Sequence, residues 1–247
     1  MFFIGLVLSL AIGLSLGLLG GGGSILTVPV LHYVFGIDMH DTVAMSLVVV
    51  ALTSAFALLP HARAGNVRWK SGLSFGMTSV ISAFGSARLG AYLPGELLIV
   101  AFAGLMIAVG ATMITRAGRV TPRPRNAPST GRMLLVGIGV GALTGLLGAG
   151  GGFLVVPALT LVGRLALREA IATSLLVIVL NSFSALAGAA GHAAIDAGVL
   201  VPVVATAMAG SMLGMRLGRR LSVLQLQRGF GGFIILIGAL ILTGELV

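Results

Sequence analysis

The stretch GLLGGGGSILTVP, Gly17 to Pro29, returns 128 positions later as GLLGAGGGFLVVP, Gly145 to Pro157, with nine of the thirteen positions identical. The register then holds without a gap. Ala44, Ser46 and Ser54 correspond to Ala172, Ser174 and Ser182, Arg88-Leu89-Gly90 to Arg216-Leu217-Gly218, and Gly104 and Gly110 to Gly232 and Gly238. The chain is one unit written twice, so its fold is to be read as two copies of a single structural repeat.

What surrounds the repeated block sets the fold class. Of 247 residues 57% are hydrophobic and 9% charged, against about 25% charged in a soluble domain. Mean hydropathy is +1.14, and apolar stretches of about 20 residues follow one another along the chain. This predicts an all-α integral membrane protein whose solvent is the lipid bilayer. The net charge of +9 does not point to nucleic acid: fourteen Arg and one Lys fall in short loops between apolar spans, where topology-setting charges belong. There is no cysteine, which excludes disulfides and thiolate metal sites. Met1 to Leu19 lacks a basic start and runs straight into the first copy, so it reads as structure and not as a cleaved signal.

Three segments follow. Residues 1–115 are repeat one, 116–131 an Arg- and Pro-rich linker expected in the cytoplasm, and 132–247 repeat two. Each repeat holds three apolar spans, near 42–60, 71–90 and 95–115, and near 170–190, 198–218 and 224–244. Before each trio comes an apolar segment broken by the glycines. The arm after the break has about 13 or 11 residues and reaches about 20 Å or less, short of a hydrocarbon core of about 30 Å. Each broken segment is therefore expected to be a re-entrant or short-span hairpin.

Three crossings per repeat make the second copy inverted. With the linker inside, fourteen basic residues lie inside and Arg88 alone outside; parallel halves would divide them eight to seven. The positive-inside rule favours inverted repeats. Ten full crossings would give the same sidedness.

In hydrocarbon a non-helical break survives only where it is buried in protein or lines a cavity. Gly20, Gly21, Gly22 and Gly23 permit positive φ and close backbone approach. The helix expected to start at Ser24, and its counterpart near Gly152 after Gly148, Ala149, Gly150 and Gly151, would aim free N–H groups into the interior. Glycine-broken segments at matching places in two apolar halves are the sequence mark of a transporter's binding site, and two such ends suit a small anion. Ser46 and Thr53 share one helical face, as do their equivalents Ser174 and Asn181, with Thr173 and Ser182 as further donors. These hydroxyls have an alternative use in bonding their own helix carbonyls. Gly72, Gly76, Gly137 and Gly141 read as helix-packing glycines. No Lys, Arg, Asp or Glu sits mid-span, which argues against a cation site or a carboxylate proton relay. His32 and His61 read as interfacial residues, and the repeat equivalents Arg88 and Arg216, at opposite faces, either gather anions at the two mouths or, the reading preferred, snorkel and fix span ends.

These features resemble the TauE/SafE (TSUP) family of sulfite exporter-like permeases: the doubled glycine block closing on proline, the Ala-x-Ser or Ala-Thr-Ser opening the next span, and the charged central linker. The resemblance covers nearly the whole chain. It implies a secondary transporter of the bacterial-type inner membrane, exporting small sulfur-containing anions such as sulfite or organosulfonates by alternating access, with the substrate at the glycine blocks and the Ser/Thr/Asn faces. It implies no catalytic residue, metal or cofactor. An anion channel of the same fold, or a membrane scaffold subunit that moves nothing, are the alternatives. Two departures stand out. Ala149 replaces a block glycine, and Gly152 stands where Ser24 stands in the first copy, so the two half-sites differ.

Overall fold

The computed structural model describes residues 2–21, 23–37, 39–90, 95–115, 130–147, 152–189 and 195–245. Gly22, the block Gly148 to Gly151 and most of the linker therefore lie outside the described residues. Among those described there are helices and no strand. They are α1 (Phe2–Leu19), α2 (Gly23–Pro29, continued by a π-helical turn Val30–Val34), α3 (Met39–Arg63), α4 (Trp69–Gly90), α5 (Gly95–Thr115), α6 (Thr130–Leu147), α7 (Gly152–Leu161), α8 (Leu167–Ala189), α9 (Ala197–Arg220) and α10 (Val223–Glu245). A shift of 128 positions carries α1–α5 onto α6–α10.

Four described segments are long and apolar enough to cross a membrane: Phe2–Leu19, Asp41–Arg63, Leu167–Ala187 and Ala197–Gly218. The first of these changes the expected hairpin. α1 has 18 residues, about 27 Å at 1.5 Å each, so the arm before the break is a full span by length. The arm after it is short in both halves. α7 has 10 residues, about 15 Å.

The break itself is a glycine event. Gly20 N–H closes the last turn of α1 on Leu16 O at 2.8 Å. Gly20 then takes φ +73°, a left-handed conformation that costs a residue with a Cβ about 1–2 kcal/mol. The chain doubles back, and α2 descends along α1. Gly23 lies against Ile12 and Leu16, and Phe35 against Gly5. The rings of Phe2 and Phe35 meet edge-on at 5.8 Å. Pro29 ends α2 because its nitrogen has no hydrogen to donate, and a wider turn takes over.

Small residues decide the packing, as they do where lipid removes any hydrophobic drive between helices. Gly13 and Gly17 of α1 press on the backbones of Ala207 and Ser211 of α9. Gly137 and Gly141 of α6 press on Phe75 and Ser79 of α4. Gly13 on Ala207 and Gly141 on Ser79 are one contact seen twice, 128 positions apart. Each first helix is thus packed on the fourth helix of the other half, and in both pairs the partners run parallel. Gly72 and Gly76 seat α4 on Thr173, Leu176 and Leu180 of α8.

The equivalent helices α5 and α10 meet directly. A Cβ on Gly110 would lie 2.7 Å from Gly231 O, and one on Gly238 would lie 3.1 Å from Ala103 O. Rising numbers in one helix meet falling numbers in the other, so the two run antiparallel. The equivalents α3 and α8 also pack on each other. Ala57 packs with Leu175, and Val67, just past α3, packs with Ala172 and Leu176. α8 lies deepest, with Ala170, Ala172, Val177 and Ile178 fully buried.

Candidate functional site

Gly21 of the first break meets Gly152, the first residue of α7, inside the protein. A Cβ on Gly21 would overlap the carbonyl of Gly152. One on Gly152 would come within 3.0 Å of Gly21 Cα and 2.9 Å of Ile178 Cδ1. Backbone lies on backbone, an approach only glycine allows. Gly20 is held from the other half: Ser174 Oγ–H reaches Gly20 O at 2.9 Å and Ile171 O at 2.8 Å. A Cβ on Gly20 would crowd Ile171 O, Ile171 Cγ2 and Ser174 Oγ, each at 2.9 Å. Ser24 Oγ donates to Gly21 O at 2.8 Å and is buried. The structure thus brings together Gly20, Gly21, Ser24, Gly152 and Ser174, with Gly23 held against α1. Gly22, Gly148, Ala149, Gly150 and Gly151 lie outside the described residues.

The other expected donors are placed differently. Ser46 Oγ donates to Val43 O at 2.7 Å and Thr53 Oγ1 to Val49 O at 2.6 Å, so both hydroxyl hydrogens serve their own helix. Thr173 is a quarter turn round α8 from Ser174. Its Oγ1 accepts the N–H of Arg68 at 3.0 Å, fastening the start of α4 to α8. Beside it the exposed Arg68 guanidinium pairs with Glu169, whose hydrogen bond and charge raise the Arg68 pKa. Asn181 Nδ2 donates to Ser79 Oγ at 2.8 Å.

Ser54 Oγ, Ser182 Oγ and Asn181 Oδ1 are buried and have no partner among the described residues. Ser54 and Ser182 are repeat equivalents, and both decline the bond to their own helix that most other serines and threonines here make. An unsatisfied buried group costs about 1–3 kcal/mol. Ser182 stands one helical turn past Ile178, which touches Gly152. The sequence reading counted Ser182 as a donor and passed over Ser54, although the 128-residue register pairs them.

A cavity of about 440 Å³ opens beside the breaks, within the size range of small-ligand pockets. Its walls are the ends of α3 and α9, the start of α8, and Gly17 and Leu18 of α1. Ile171 belongs to this wall and also lies against Gly20, so a single side chain stands between the cavity and the first break.

Long apolar helices packed through glycine and a buried polar centre define a multi-pass helical membrane protein. Residues 5–241 match the family described as sulfite exporter TauE/SafE, and the chain belongs to that family. It is 39% identical over 173 residues to a probable membrane transporter protein of Xylella fastidiosa (strain Temecula1), covering 68% of this chain and 66% of that one. The chain thus spans about two thirds of the length of that relative. It is 28% identical over 172 residues to the probable membrane transporter protein YdhB of Bacillus subtilis, covering 68% and 70%. A probable membrane transporter protein of Methanocaldococcus jannaschii is 27% identical over 194 residues, covering 75% and 72%. No solved structure matches.

Proposed function

We propose that the chain is a secondary transporter exporting small sulfur-containing anions, sulfite or organosulfonates, by alternating access at the paired glycine breaks. The observation that carries the reading is the meeting of Gly21 and Gly152, with Ser182, whose hydroxyl lacks a partner, one helical turn past the Ile178 that lies against Gly152. Two breaks from two halves closed on each other form a gate, and the unused Ser54, Ser182 and Asn181 groups are donors and acceptors waiting for a ligand. For an anion the amide of Asn181 turns Nδ2 toward it and the serines give their O–H. The bound anion then parts the tips, and one bundle rocks against the other.

The halves are inverted in this reading, with the linker in the cytoplasm and the protein in a bacterial-type inner membrane. The antiparallel course of α5 and α10 supports inversion: copies related by an axis along the membrane normal would run parallel. An interior at −100 mV drives out each negative charge with about 2.3 kcal/mol, so export needs no coupling ion. Proteoliposomes loaded with sulfite test the proposal. Saturable efflux that grows with internal negative potential is expected. No flux of sulfite or of any small sulfonate refutes it, and flux that never saturates makes the protein a channel.

A further inference from the structure

The cavity beside the breaks is charged in one sense only. Arg63 ends α3, Arg168 stands in the first turn of α8, and Arg216 projects from the last two turns of α9, with His61 on the same wall. No Asp or Glu is among its lining residues. The nearby Glu169 pairs with Arg68 outside the cavity. Arg168 uses one guanidinium nitrogen on Leu221 O at 3.3 Å, which steadies the side chain and leaves its other donors. Among the described residues no carboxylate pairs with Arg63, Arg168 or Arg216. At the cavity's inner end lies Ile171, the residue against Gly20.

The 128-residue repeat does not carry these arginines over. The positions 128 residues from Arg63, Arg168 and Arg216 are Gly191, His40 and Arg88. Three arginines on one face thus correspond to one on the other. Topology alone asks for basic residues on a face and is indifferent to where on that face they stand. Here they stand round a cavity that ends at the gate.

We infer that Arg63, Arg168 and Arg216 form an anion-loading vestibule on one face, a separate site that concentrates small oxyanions and feeds them to the gate from that side only. Its charge favours dianions over monoanions. Confined charges of one sign raise local counter-ion concentration by about 10- to 1000-fold, and exposed guanidinium groups make that gain salt-sensitive. The site rests on the transporter reading for its kinetic consequence, though its electrostatics can be read without any flux.

The absence of native cysteine makes that reading clean. Ala64→Cys places a thiol on the cavity wall. Its labelling by a sulfonate-bearing thiosulfonate is expected to exceed labelling by a cationic analogue by about tenfold. Millimolar sulfate should slow the labelling saturably. Both effects should vanish in R63Q/R216Q. In proteoliposomes the same pair of changes should raise the sulfite KM about tenfold from the vestibule face and leave it unchanged from the other. The methanesulfonate KM should move less. R119Q/R123Q removes as many linker charges and should change neither readout, with single-cysteine labelling confirming that all variants keep one orientation. Equal labelling by the two reagents, no protection by sulfate, or the same response in the linker variant would overturn the vestibule. Absent flux in the parent protein, with intact sulfate protection, would instead overturn the transporter reading and leave the vestibule standing.

Discussion

Gly20→Ala separates a backbone requirement from a packing requirement, because two other glycines share its conformation and not its surroundings. Gly20, Gly36 and Gly65 have φ of +73°, +70° and +69°. A Cβ at Gly36 or Gly65 meets nothing within 4 Å, whereas at Gly20 it meets Ile171 O, Ile171 Cγ2 and Ser174 Oγ at 2.9 Å. Forcing alanine into the left-handed region costs about 1–2 kcal/mol. Loss of unfolded-chain entropy offsets about 0.4–1 kcal/mol of that. Gly36→Ala and Gly65→Ala should therefore cost about 0–1.5 kcal/mol. Overpacking adds about 1–3 kcal/mol at Gly20, because two of the crowded groups are a helix carbonyl and a hydroxyl already bonded to Gly20 itself. At about 2–4 °C per kcal/mol for a chain of this size, thermal unfolding of the purified protein should place Gly20→Ala several degrees below the other two. Three variants of equal stability would refute the claim that the break is clamped between the halves.

Further substitutions probe the same core. Ser54→Ala and Ser182→Ala should leave stability unchanged or raise it by about 1 kcal/mol, since each removes an unsatisfied buried group, yet lower sulfite efflux; unaltered efflux would remove these hydroxyls from the site. Ser174→Ala strips Gly20 O of its donor and should cost about 1–3 kcal/mol. Its equivalent Ser46→Ala loses only a bond within its own helix and should cost less than half as much in the same melting experiment. Thr173→Val should cost about 1 kcal/mol and speed hydrogen exchange at the Arg68 amide, which loses its acceptor.

The membrane class was plain in the sequence because composition alone decides it: a chain so poor in charge cannot cover itself in water. The breaks were plain because a run of glycine leaves hydrocarbon-buried backbone without a helix. The apolar run up to the glycines matches the extent of α1, and the arm after them is short, as its residue count requires. Individual side chains were harder to read. Ser46 and Ser174 occupy the same register, yet one bonds Val43 and the other Gly20. The bond within the helix is the same in both, since Ser174 also bonds Ile171 O; what differs is the neighbour from the other half that Ser174 reaches in addition. The four-residue spacing of Gly72 and Gly76, and of Gly137 and Gly141, announced close helix faces without naming the partner. The arginines of the cavity come from helices remote in sequence, so only the packed structure gathers them.

The exchange of first and fourth helices between halves has a consequence for biogenesis. α1 is made about 200 residues before α9 is complete, which at ribosomal speed is an interval of roughly 10–40 s. Throughout that interval the groove around Gly13 and Gly17 lacks its mate, and neither half, synthesised alone, contains the helix its leading segment requires. Insertion must therefore hold early segments unassembled, in lipid or against an insertase, until the chain is nearly finished, and two half-length polypeptides made together should recover what each lacks apart.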